Sequence, residues 1–142
     1  MISYIDHHIY IGEQLDAESP PSFINAVLWV ALDPKLTPPP NVEFGRLPLK
    51  ENTKPDLIDL ETGVEWLTHH LPEHHILVAC QVGLGRSPSI IIAYLCCMQG
   101  LSFEEAQELV SQKRPGMTPL PNLASLIEQL KMKAPPLNPP TR

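Results

Sequence analysis

The chain has 142 residues, of which 43% are hydrophobic, enough for one packed domain and too short for two ordinary ones. Its net charge is −6 at pH 7 with no cluster of Lys or Arg, which argues against nucleic acid or an anionic membrane as the main partner. No apolar run is long enough to span a bilayer, and the 3 cysteines, two of them adjacent, do not form the even framework of a disulfide-stapled domain.

Ile9-Tyr10-Ile11-Gly12 reads as a short strand ending at a turn. Residues 26–32 are a continuous apolar run of strand length, the pattern of a strand buried on both faces. Residues 44–49 are a further strand. Over 57–71, Leu57, Leu60, Val64, Leu67 and Leu71 recur at helical spacing, and Pro72 follows. Ile76-Leu77-Val78-Ala79 is a second buried strand. Residues 87–99 form a helix stopped by Gly100. Ser102 and Glu105 open another as a capping box, running to about residue 113. Residues 123–132 are the last helix. Proline occurs 17 times and gathers at Pro20-Pro21, at Pro38-Pro39-Pro40 and in the tail, marking stiff loops and an extended end.

Strands and helices alternate. The expectation is a single α/β domain over 1–133, followed by a Pro-rich tail over 134–142. Its sheet should be mixed and mostly parallel, with helices on both faces. The opening residues lack a basic stretch followed by an apolar one, and Cys80, Cys96 and Cys97 fit reduced thiols, so the expected location is the cytoplasm.

The chemistry concentrates in Cys80-Gln81-Val82-Gly83-Leu84-Gly85-Arg86-Ser87, just after a buried strand and at the start of a helix. In parallel sheets, ligands bind beyond the carboxyl ends of the strands, which is where Cys80 lies. Backbone N–H groups of Gln81, Val82, Gly83, Leu84, Gly85 and Arg86 can converge there, beside the positive end of the helix. Such a loop holds a phosphate or other tetrahedral oxyanion. It also favours the thiolate of Cys80, the form that attacks. Gly83 and Gly85 permit tight turns, and Arg86 offers a planar fork for two phosphoryl oxygens. Ser87 can donate a hydrogen bond to the sulfur.

This segment resembles the Cys-x5-Arg-Ser/Thr signature of the cysteine-dependent protein tyrosine phosphatases, and more narrowly the small dual-specificity phosphatases. The likeness extends from about residue 5 to residue 130. Ile9-Tyr10-Ile11-Gly12 resembles the family's opening strand. Leu47-Pro48-Leu49-Lys50-Glu51 resembles its general-acid segment, and Lys113-Arg114-Pro115-Gly116 its Arg-Pro helix end. The chain departs twice: Ala79 precedes the thiol where the family has His, and Glu51 stands where it has Asp. The loop amides and Arg86 then carry more of the thiolate stabilisation.

The resemblance implies a protein phosphatase with two steps. Cys80 displaces the leaving oxygen from a phosphomonoester while a carboxylic acid protonates it; water then hydrolyses the phosphocysteine. No metal or organic cofactor is required. Glu51 matches the acid by register. Asp56 is the alternative, although it also sits at a helix start where aspartate serves as a cap. Gln81, Val82 and Leu84 are not basic, which favours a single phosphomonoester on protein, phosphotyrosine first and phosphoserine or phosphothreonine next, over inositol phosphates. The alternative reading is a non-catalytic phosphoprotein-binding module. Sulfurtransferases and arsenate reductases fit the acid segment poorly.

Other residues read as structural. His69, His70, His74 and His75 mark a polar helix end rather than a metal site. Cys96 and Cys97 lie about three turns from the loop, too far to pair with Cys80. Trp29 and Trp66 read as core. Arg114 either reaches substrate or is solvated, and Asn122 steadies the loop.

Overall fold

Five strands of 4 residues each form the sheet of the computed structural model, which describes residues 1–133. They are β1 (Ser3–Asp6), β2 (Ile9–Gly12), β3 (Ala26–Trp29), β4 (Glu43–Arg46) and β5 (Ile76–Ala79), in the order β1-β2-β5-β3-β4. β5 runs parallel to β2 and β3, and β3 parallel to β4; only β1 is antiparallel. The helices are α1 (Gln14–Glu18), α2 (Leu57–His70), α3 (Arg86–Met98), α4 (Phe103–Lys113) and α5 (Leu123–Lys133). The α/β class and the mostly parallel sheet are those expected. The Pro-rich segment 134–142 lies outside the described residues.

All four positions of β3 and of β5 are buried, which is why each reads as an unbroken apolar run. Their register, Ala26 opposite Ile76 through Trp29 opposite Ala79, puts Leu28 and Val78 on one face and Val27 and Leu77 on the other. The first face is covered by α2 and α3. A Cβ on Gly45 would lie 2.5 Å from Trp66 Nε1 and 3.0 Å from Leu28 Cδ1, so the missing side chain lets α2 settle on β4. Gly63 does the same between α2 and α3, where a Cβ would meet Ile90 at 3.1 Å. The opposite face carries α1: a Cβ on Gly12 would meet Leu77 at 2.9 Å and Asp16 at 3.0 Å. Helices therefore lie on both faces.

α3 is the central helix. It contacts α2, α4, α5, β2 and β5 and is buried over nearly its whole length, the behaviour of a helix that is apolar all round. The expected capping box of α4 is present, with Glu105 N donating to Ser102 Oγ at 3.1 Å and Ser102 N to Glu105 Oε1 at 2.9 Å. Among the described residues, no helix is long and apolar enough to cross a membrane.

Four elements differ from the sequence reading. The run 26–32 ends as a strand at Trp29, and the strand expected over 44–49 occupies Glu43–Arg46. Pro48 has no N–H to donate, so the ladder stops before it. β1 and α1 carry no legible pattern. β1 buries only Ile5, and α1 has 5 residues, too few to show a helical period. The turn between β1 and β2, His7-His8, has φ of 51° and 66°, a conformation in which Asn and Gly are the recognisable residues and His is not.

Gly45→Ala should lower the urea midpoint by the equivalent of about 1–3 kcal/mol, the cost of overpacking a filled interface. An unchanged midpoint would show that Trp66 does not depend on that gap.

Candidate active site

β5 lies in the sheet between β2 and β3, and the chain leaves its carboxyl end at Cys80. The loop that follows turns back into α3 within six residues, Cys80 to Gly85. Cys80 is 2% exposed, and Gly83 N donates to its Sγ at 3.2 Å. Gly83 has φ 79°, and a Cβ there would lie 2.5 Å from Arg114 Nη2 and 2.8 Å from Gly12 O. No other residue type fits. Gly85 is different, since a Cβ would meet only Thr118 O at 3.5 Å.

The carbonyls from Gln81 to Gly85 all bond to donors outside the loop. Gln81 O accepts from Gln14 N at 3.3 Å, and Leu84 O from Thr118 N at 2.7 Å. Val82 O and Gly83 O accept from Arg114 at 3.2 and 3.1 Å. Gly85 O accepts from Ser89 N at 3.1 Å and from Ser89 Oγ at 2.8 Å. In a planar trans peptide the N–H points opposite to the C=O. Each outward carbonyl therefore turns the next N–H inward, which orients those of Val82, Gly83, Leu84, Gly85 and Arg86 toward the concave side. The helix dipole of α3 adds positive potential at the same place.

Arg86 is 5% exposed. Its Nη1 donates to Leu49 O at 3.2 Å, and its Nη2 lies 3.6 Å from Glu51 Oε1. These groups border an open cleft of about 310 Å³ whose wall includes Glu51, Cys80, Val82, Arg86 and Thr118. Such a cleft can hold a tetrahedral anion against five amides and a guanidinium, with a sulfur beneath it and a carboxyl at its edge.

The sequence-predicted residues separate accordingly. Cys80, Val82, Gly83, Leu84, Gly85, Arg86 and Glu51 come together at the cleft. Gln81 does not line it; its side chain is exposed and donates to Asp33 O at 3.1 Å. Asp56 is exposed at the N-cap of α2, away from the lining, and its carbonyl accepts Leu60 N at 3.1 Å. Ser87 is fully buried and its hydroxyl has no hydrogen-bond partner, so the expected bond to the sulfur is not formed here.

Arg114 is neither a substrate contact nor a solvated side chain. It is buried behind the loop and bonds to it. Asn122 starts α5 and gives its carbonyl to Leu126 N at 3.0 Å, while the steadying expected of it comes from its neighbours. Leu120 N donates to Ser89 Oγ, and Thr118 N to Leu84 O. Ser89 and Thr118 escaped the sequence reading because a helix serine and a loop threonine carry no pattern of their own. Trp29 is core, and Trp66 stacks on His70 at 3.9 Å. Among the described residues no group of three or more His, Cys, Asp or Glu could hold a metal ion.

A family model described as "Dual specificity phosphatase, catalytic domain" matches residues 11–133. Mouse dual specificity protein phosphatase 8 is 29% identical over 129 residues, covering 85% of the chain. The chain spans only 20% of that relative's length. Dual specificity protein phosphatase 1B of Arabidopsis thaliana is 38% identical over 56 residues, covering 39% of the chain and 34% of the relative. Two solved structures share the fold. A mouse putative dual specificity phosphatase complexed with zinc tungstate has a TM-score of 0.81 at 20% identity, covering 93% of this chain and 87% of its own. Human DUSP28 has a TM-score of 0.80 at 20% identity, covering 94% and 96%. A family match running from β2 to the end of α5, on a sheet whose central strand delivers Cys80 to a ring of inward amides, places the chain in the dual specificity phosphatase catalytic-domain family.

Proposed function

We propose that residues 1–133 form the catalytic unit of a protein phosphatase that hydrolyses phosphomonoesters through a phosphocysteine at Cys80. The observation that carries this reading is the set of outward-paired carbonyls from Gln81 to Gly85, which turns the following amides toward an anion above the sulfur, with that of Gly83 resting on Sγ itself. The substrate's non-bridging oxygens rest on the N–H groups of residues 82–86 and on the Arg86 fork. Sγ of Cys80 bonds to phosphorus as the bond to the leaving oxygen breaks, and Glu51 gives that oxygen a proton. Water then attacks phosphorus and passes a proton to the Glu51 carboxylate. The S–P bond breaks, and the unpartnered Ser87 hydroxyl donates to the departing thiolate. Glu51 is the better candidate for the acid role because its carboxyl lines the cleft, a position Asp56 does not share.

The rim supports a single phosphate on a protein side chain. Val82 and Leu84 contribute apolar surface, and no Lys or Arg other than Arg86 lines the cleft among the described residues. Phosphotyrosine fits this best, with phosphoserine and phosphothreonine as further substrates. The cysteines are unpaired, which suits the reducing cytoplasm.

Cys80→Ser should abolish hydrolysis of a phosphotyrosine peptide. A general acid works only while protonated, so the rate falls as pH rises through its titration. Glu51→Gln should erase that high-pH limb and slow turnover by about a hundredfold or more, while Asp56→Asn keeps the wild-type profile. The reverse pattern would transfer the acid role to Asp56. Oxyanion binding without turnover at any pH would favour a non-catalytic phosphoprotein-binding module.

Burial pushes the Cys96 thiol up to about 11 and also raises that of Cys97, so both stay protonated at neutral pH and only approach the reactive thiolate well above it. Iodoacetamide at pH 8 should therefore modify Cys80 alone, and vanadate should protect it. Mass spectrometry showing Cys96 or Cys97 modified first would contradict this.

A further inference from the structure

Arg114 does not line the cleft, yet its guanidinium supports two of the loop's carbonyls. These are Val82 O and Gly83 O, so Arg114 governs the peptides whose N–H groups belong to Gly83 and Leu84. One of those, Gly83 N, donates to Cys80 Sγ. Its remaining donors are taken by the amino-terminal segment. Nη1 donates to Met1 O at 2.6 Å and to Ser3 Oγ at 2.9 Å, and Nη2 lies 3.8 Å from Glu13 Oε2. An arginine carries five N–H donors in one rigid plane, and here each nitrogen is engaged. Rotation of that plane would withdraw both bonds from the loop together. Ser3, on the edge strand β1, and Glu13, between β2 and α1, hold the plane from the side away from the anion.

We propose that Ser3 and Glu13 are positioning residues for the oxyanion site, acting through Arg114. They fix the guanidinium in the plane from which it donates to the Val82 and Gly83 carbonyls, and so keep the Gly83 and Leu84 amides turned toward the anion. This role rests on the proposed phosphatase site for its location, and its readout is oxyanion affinity rather than turnover.

The test measures vanadate dissociation constants by calorimetry, with thermal unfolding alongside, on the full chain and its R114K, R114M, S3A, E13Q and S3A/R114M variants. R114K and R114M should each weaken vanadate binding roughly tenfold, since neither an ammonium nor a thioether can bridge the two loop carbonyls and the three further acceptors, Met1 O, Ser3 Oγ and Glu13 Oε2. S3A and E13Q should each weaken it by about threefold. S3A should add nothing in the R114M background, because residues that act through one partner are not additive. A lower unfolding temperature with wild-type vanadate affinity would mean that Arg114 supports only the fold, and would overturn the proposal. So would a full S3A effect retained in R114M, or a wild-type chain that binds no vanadate. If R114M shows no cooperative unfolding, S3A and E13Q decide the matter, and wild-type affinity in both overturns it. A chain that binds vanadate with this pattern of losses but hydrolyses nothing would defeat the phosphatase reading alone.

Discussion

The site depends on where the carbonyls of five consecutive loop residues go. An amide cradle for an anion requires neighbouring N–H groups to point the same way, and a peptide plane forces each neighbouring carbonyl the opposite way. Buried carbonyls need partners. Gln14, Arg114, Thr118 and Ser89 supply them from four separate parts of the chain. The cradle is thus braced from outside, by donors of which Gln14, Ser89 and Arg114 do not line the cleft and Thr118 does. Its rigidity comes from four elements being in place at once, which is a preorganisation paid during folding rather than at binding.

The sheet and α3 make that assembly possible. β5 is buried between β2 and β3, so the chain emerges at Cys80 with little freedom. α3 is anchored by α2, α4 and α5 around it, and it begins at Arg86. The loop is therefore pinned at both ends by the most buried elements of the domain. Gly83 is the one place where the backbone must take a positive φ with Arg114 and Gly12 pressed against it, and glycine alone meets both demands.

Charge at the cleft is balanced locally. Arg86 is buried and holds Leu49 O with one nitrogen while facing Glu51 with another. An entering dianion and the Glu51 carboxyl thus address the same guanidinium, which couples occupation of the cradle to the position of Glu51, the proposed proton donor. Ala79, buried directly before the thiol, has no polar side-chain group and leaves this work to the amides and Arg86. The Ser87 hydroxyl, in the first turn of α3, is buried without a hydrogen-bond partner.

Much of this was legible in the sequence, and the boundary is physical. Continuous apolar runs revealed β3 and β5, helical spacing revealed α2, and the Ser102–Glu105 box revealed the start of α4, because burial and capping are local demands that residue types record. The spacing of Cys80, Gly83 and Arg86 disclosed the anion loop for the same reason. β1 and α1 were too short to carry a period. The sequence places the backbone amide of Gln81 beside the cradle but says nothing of its side chain, which turns to Asp33 O. Arg114 was the largest misreading. Whether an arginine is solvated, touches substrate or braces a loop depends on which distant acceptors the fold brings to it, here from residues 82 and 83 and from the first strand. The sequence by itself determined that a thiol would meet a ring of amides at the end of a buried strand. Only the tertiary structure decided what holds those amides in place, because their partners are scattered along the chain and meet only when it is folded.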